Sequence, residues 1–263
     1  MTFRTIVDQF FDTIGQLRAA VDLIRDRQLW RGIDRYNWLV KVMVGVAIIL
    51  GLSFLGEVFN WISSLFRVES PQAFFSTMGS LVSGVATEGY ESFTSGIMKY
   101  VILLLSEVII FHFMQRALEE IHGSTIRTDF QTFLVAQIRM LQVVIRVWVL
   151  ELVVTTLISV AGGILGIPGW IESVVTFTAQ CYFFGLVILD NYHEQFGLTI
   201  KESMVYSQQF TGVALALGMV LYVLMLLPLV GVVGGTVLVS VTAVLVMGKL
   251  APVGNRKIVA HKH

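Results

Sequence analysis

LVVTTLISVAGGILGIPG, from Leu152 to Gly169, decides how this chain is read. It is an uncharged apolar run that ends in glycines and a proline. A second apolar arm, Ser173 to Leu189, follows with almost no polar loop between them. GMVLYVLMLLPLVGVVGG, from Gly218 to Gly235, repeats the arrangement. There Ser203 to Gly248 holds no charge, and Leu227-Pro228-Leu229 with Gly231, Gly234 and Gly235 interrupts it. Proline lacks the amide donor and clashes with the preceding turn, so each break separates two helices. The pattern predicts two helical hairpins, broken at Pro168 and Gly169 and again at Pro228 and Gly231. Such hairpins either cross a bilayer fully or dip into it as re-entrant tips, which protein must shelter because lipid leaves backbone groups unpaired. Leu152 to Ile167 is short for a full span, and the expectation is tips at Pro168 and Pro228 sheltered inside the bundle or at most reaching shallowly toward the outer leaflet. As a weak internal repeat, the two hairpins also mark where a pathway would lie.

The rest of the composition points the same way. Of 263 residues, 56% are hydrophobic and 14% charged, against about 25% charged in an ordinary globular domain. Mean hydropathy is +0.79. Too few charges remain to cover the surface, so part of it faces lipid. Formal net charge is zero, which leaves no basic field for nucleic acid. The lone Cys181 excludes an internal disulfide and a cysteine-cluster metal site. No secretory signal is evident, and the first membrane helix is expected to act as the insertion signal.

Upstream, Trp38 to Gly56 is apolar apart from Lys41 and long enough to span about 30 Å of hydrocarbon. A second span runs from Ile97 to Met114 and carries Glu107 and His112. A third begins near Met140 and holds Arg146 and Glu151. The loop from Leu65 to Gly96 is polar, with Arg67 against Glu69, Glu88 and Glu91. Arginines instead crowd the segment before the first span, including Arg31 and Arg35, and basic residues close the chain. The positive-inside rule then puts both termini in the cytoplasm.

Before the spans, Phe3, Val7, Phe10, Ile14, Leu17, Val21 and Ile24 recur at helical spacing and form one apolar stripe. Such a helix can lie in the membrane interface, bind a partner, or pack on its own chain. The expected organisation is an N-terminal helical region (residues 1–37), a transmembrane helical domain (38–250) and a short basic tail (251–263).

Among the polar residues of the spans, Arg139, Gln142 and Arg146 fall on one helical face. That face can line an anion path, or Arg139 can snorkel at the boundary. Arg146 lies deeper, where a charge faces protein or water, and Glu107 and Glu151 are its available partners. His112 reads as a packing residue, and the remaining histidines lack metal-site spacing. No nucleophile motif or phosphate loop is present, so no enzyme and no cofactor are expected.

Cys181-Tyr182-Phe183-Phe184-Gly185, Leu189-Asp190-Asn191-Tyr192-His193 and Thr199-Ile200-Lys201-Glu202 resemble a segment of CysZ-type sulfate permeases. The two Pro/Gly-broken hairpins and the run from Met114 to Gly123 are similar to that family as well, which extends to the etoposide-induced membrane proteins. The resemblance implies two long transmembrane helices, two shallower hairpins, assembly into a homo-oligomer, and passive movement of sulfate or a related oxyanion. It also implies paired arginines at the entry to the first long helix. Here Arg31 and Arg35 are split, with Asp34 between them. The expectation is an all-α oligomeric permease or channel for a small oxyanion. The alternative is a non-transporting scaffold that holds a partner through its N-terminal helix.

Overall fold

Helix formation follows the sequence punctuation closely. Thr2 accepts a hydrogen bond from the Thr5 amide and starts α1 (Phe3–Asp26). The computed structural model describes residues 2–31, 98–122, 130–225 and 230–251. After α1 these hold α2 (Met98–His122), α3 (Phe130–Leu165) and α4 (Gly169–Glu194). A short α5 (Ile200–Ser207) passes through a 3-10 turn (Gln208–Phe210) into α6 (Thr211–Met225), and α7 (Val230–Leu250) follows. Among the described residues every regular element is helical. The expected span from Trp38 to Gly56, the loop from Leu65 to Gly96, Pro228 and all but the first residue of the basic tail lie outside them.

Four segments are long and apolar enough to cross a membrane: Ile138–Leu165, Gly169–Glu194, Ile200–Met225 and Gly231–Leu250. By this measure the chain is an integral membrane protein. The expected short arm, Leu152 to Ile167, is instead the second half of α3, whose 36 residues extend about 54 Å at 1.5 Å per residue. Arg146 and Glu151 do not interrupt it, because a charged side chain leaves the backbone ladder intact. Gly166, at φ +64°, ends α3, and the Ile167 amide turns back to the Gly162 carbonyl. Pro168 then caps α4 at a position that needs no amide donor. Contrary to expectation this tip is not sheltered within the chain: Pro168 and Gly169 are exposed and Trp170 beside them is 71% exposed.

α4 and α6 run antiparallel at very close range. A Cβ on Gly185 would collide with the Ala214 carbonyl oxygen, and one on Gly218 with that of Cys181. Cys181 and Gly185 on α4 thus face Ala214 and Gly218 on α6, two small-xxx-small pairs that let the backbones touch. Tyr222 fills the space beside this crossing, edge-on to Phe177 and Phe184 with ring centroids 5.2 and 6.2 Å away. α7 turns back along α6, where Gly231 is buried against the Leu224 carbonyl. Since 185 faces 214 and 181 faces 218, the Pro168 turn and the break after Met225 lie at the same end of the bundle. The opposite end gathers α1, the start of α6 and the end of α4.

α1 lies across α6 and α7 at that second end. Its contact is not made by the centre of the apolar stripe. Gln9, Thr13 and Ala20 are the residues buried, while Phe3 of the stripe is 82% exposed and Val21 is also exposed. The stripe's middle members are half-buried along the flank. Gln9 accounts for the difference: its amide donates to the Gln209 carbonyl (2.8 Å) and its oxygen accepts from the Gly212 amide (3.2 Å). Both ends of one side chain satisfy backbone groups at the start of α6, where a helix leaves donors unpaired. Gly212 allows the approach, because any Cβ there would meet the Ile6 carbonyl.

Candidate functional site

The end of α4 carries Asp190, Asn191, Tyr192, His193 and Glu194 directly after an apolar arm. Asp190 and Glu194, four apart, share one helical face. Arg139, on the flank of α3, reaches that face and is held from several sides. Its Nη2 donates to Asp190 Oδ1 (3.0 Å) and its Nε to Asp190 Oδ2 (3.3 Å), a bidentate pair. Nε also lies 3.7 Å from Glu194 Oε2, and Nη1 donates to the Leu198 carbonyl. The Leu198 carbonyl is in reach because Gly197, at φ +69°, ends α4 and turns the chain, with the Leu198 amide bonded back to the His193 carbonyl. The pair is buried, with side chains 15% and 3% exposed for Arg139 and Asp190.

His193 extends the cluster toward α5. Its Nδ1 is 3.0 Å from Ser203 Oγ and 3.4 Å from Ser207 Oγ, two serines presented on one face. α5 is fixed by a capping box: the Glu202 amide donates to Thr199 Oγ1, and the Thr199 amide donates to the Glu202 carboxylate. Tyr192 and Tyr206 stand against the imidazole, and Phe196 and Phe210 pack on those two rings in turn. The Asn191 amide donates to the Val187 carbonyl (3.0 Å) and leans on Met140 Sδ (3.6 Å), tying α4 to α3 a second time.

Glu107 joins the cluster from α2. It is fully buried, and its electrostatic neighbours are Glu194, Asp190 and Arg139, with Asn191 beside it. Among the described residues no cation bonds either carboxylate oxygen. Three carboxylates therefore surround a single guanidinium that is already engaged.

The other expected residues are scattered. Arg146 is exposed on the outer flank of α3, below Gln142, with no ion pair among the described residues. It does not meet Glu107, which faces the α4 cluster instead. The spacing of seven puts Arg139 and Arg146 on nearly the same side of α3, yet only Arg139 meets acidic groups, because those stand at the end of α4. Glu151 is buried on the inward face of α3 with Met140, Val143 and Val147, and is not a free charge. His112 lies 3.2 Å from the Leu29 carbonyl and edge-on to Phe113, a packing role. Arg31 is exposed in the turn after α1, and Arg35 lies outside the described residues. Among the described residues no group of three His, Cys, Asp or Glu side chains converges to hold a metal ion.

The acidic pair on α4 is what reading for intramembrane charge passed over. Its signal was present, an Asp-Asn-Tyr-His-Glu run closing an apolar arm. Compared with family models, curated proteins and solved structures, the chain matches none of them.

Proposed function

We propose that this protein is an oligomeric membrane permease or channel that passes a small oxyanion such as sulfate, with both termini in the cytoplasm of a bacterial inner membrane. The observation that carries the reading is Arg146. A guanidinium at span depth, exposed and without an ion pair among the described residues, is costly against lipid, so it is expected to face water or another protein surface. Its neighbour Gln142, one turn away, is exposed on the same flank. A passage between copies of the chain would satisfy both and would offer an oxyanion a fork of donors. The buried cluster around Arg139 serves a different purpose in this reading. Its donors are occupied by Asp190, Glu194 and Leu198, and its acidic excess repels an anion, so it anchors α3 to α4 at the edge of the passage.

Sulfate flux into liposomes holding the purified protein tests this. A charge-assisted hydrogen bond contributes about 1.5–3 kcal/mol, so Arg146→Ala is expected to lower flux about tenfold or more, and Arg146→Lys less. Flux from folded wild-type protein equal to that of empty liposomes removes the proposal. That outcome leaves the second reading, a scaffold that holds a partner through α1, which draws on the exposed Phe3, Phe11 and Val21.

A further inference from the structure

Among the described residues, Glu107 is the carboxyl of the buried cluster that no ion pair holds. Asp190 has two bonds from Arg139, and Glu194 has a weaker contact with the same guanidinium. Glu107 has neither: among the described residues no cation bonds its buried oxygens, the Asn191 side chain stands beside them, and Ser106 Oγ next to it in α2 is buried without a hydrogen bond. The charged groups facing Glu107 are Asp190 and Glu194 from α4 and Arg139 from α3. From α7 the buried polar residues are Thr236, Ser240 and Thr242, all neutral. On α2 itself, His112 is turned to the Leu29 carbonyl. A carboxylate here would stand with two others beside one engaged cation, with the Asn191 amide, which also bonds the Val187 carbonyl, as the donor beside it. Burying such a charge unpaired is far more costly than burying a neutral acid. The site also lacks the converging ligands that a metal ion requires.

We propose that Glu107 is a proton-binding site of the bundle: a buried carboxyl that takes a proton from water and holds it as an O–H bond on one of its oxygens. Release breaks that bond and returns the proton to water, leaving a carboxylate beside Asp190 and Glu194. The site would thus exchange a proton with water at the end of the bundle where α1 lies. It stands on the geometry of the cluster and is independent of whether the protein passes an anion.

Infrared spectra of the full chain in lipid, at neutral pH in water and in heavy water, test the assignment. Wild-type protein is expected to show a protonated-carboxyl carbonyl band that shifts in heavy water. Glu107→Gln should lose it, and Glu120→Gln, which alters a carboxylate on the exposed end of α2, should keep it. Glu107→Asp preserves a carboxyl in case the glutamine variant does not fold, and its band should appear at an altered position. Absence of the band from folded wild-type protein overturns the proposal. So does its survival in Glu107→Gln or its unaltered position in Glu107→Asp.

Discussion

Asp190→Ala is expected to destabilise the protein by about 3–5 kcal/mol, the range for breaking a buried ion pair by removing one partner. The loss arises less from the missing attraction than from what remains. Arg139, 15% exposed at its side chain, would keep only the 3.7 Å approach to Glu194 and the Leu198 carbonyl. Two of its donors would then face a space where water has little access. Arg139→Ala should be as harmful, because it leaves Asp190 and Glu194 with no cation between them. Replacing both, as Arg139→Met with Asp190→Leu, should recover much of the loss, since apolar pairs of similar volume often match a buried ion pair. Thermal unfolding in detergent, followed for the two single variants and the double, checks this. A double variant as unstable as the sum of the singles would show that the pair does not act as a unit.

A comparable loss is expected from Gly185→Val, for a steric reason. Even the first carbon of the new side chain would collide with the Ala214 carbonyl oxygen, with the backbone of Ala214 behind it. Backbone cannot rotate aside as a side chain can, so α4 and α6 must separate. Overpacking a core costs about 1–3 kcal/mol and occasionally more. Here the separation would also open the Cys181–Gly218 contact, placing the effect at the upper end or beyond. Gly15→Ala serves as the control: nothing lies within 4 Å of a Cβ there, and alanine in an exposed helix should stabilise by about 0.5–1 kcal/mol. The yield of monodisperse protein and its melting temperature measure both. Wild-type behaviour of Gly185→Val would contradict the close crossing.

These two sites also show what could be read from the residues alone. Gly166 and Pro168 announced the α3–α4 turn, because glycine at positive φ and proline after it are local requirements. The length of α3 was not legible: the sequence places a third span from near Met140 and makes the arm from Leu152 short, whereas one helix runs from Phe130 to Leu165 through both. Glu107 and Arg139 stood out as charges among apolar neighbours. Their meeting with Asp190 and Glu194 did not, since it joins residues 51 apart across two helices and no local spacing encodes it. The α1 stripe was visible by periodicity, but periodicity says only that one face is apolar. The Gln9 amide, bonded to Gln209 and Gly212, decides which face docks.

Whether position 146 meets water in the membrane is the measurement closest to the proposed passage. A thiol reacts as its thiolate, which forms in water and not in hydrocarbon. Arg146→Cys in a Cys181→Ala background, assembled in lipid, can be treated with a charged, membrane-impermeant thiol reagent. Leu157→Cys in the same background, at a residue 62% exposed on α3 with an apolar side chain, reports the lipid-facing surface. The account predicts ready labelling at position 146, slowed by sulfate, and none at position 157. Equal inertness of the two positions, with sulfate making no difference, would place Arg146 outside any aqueous path and contradict it.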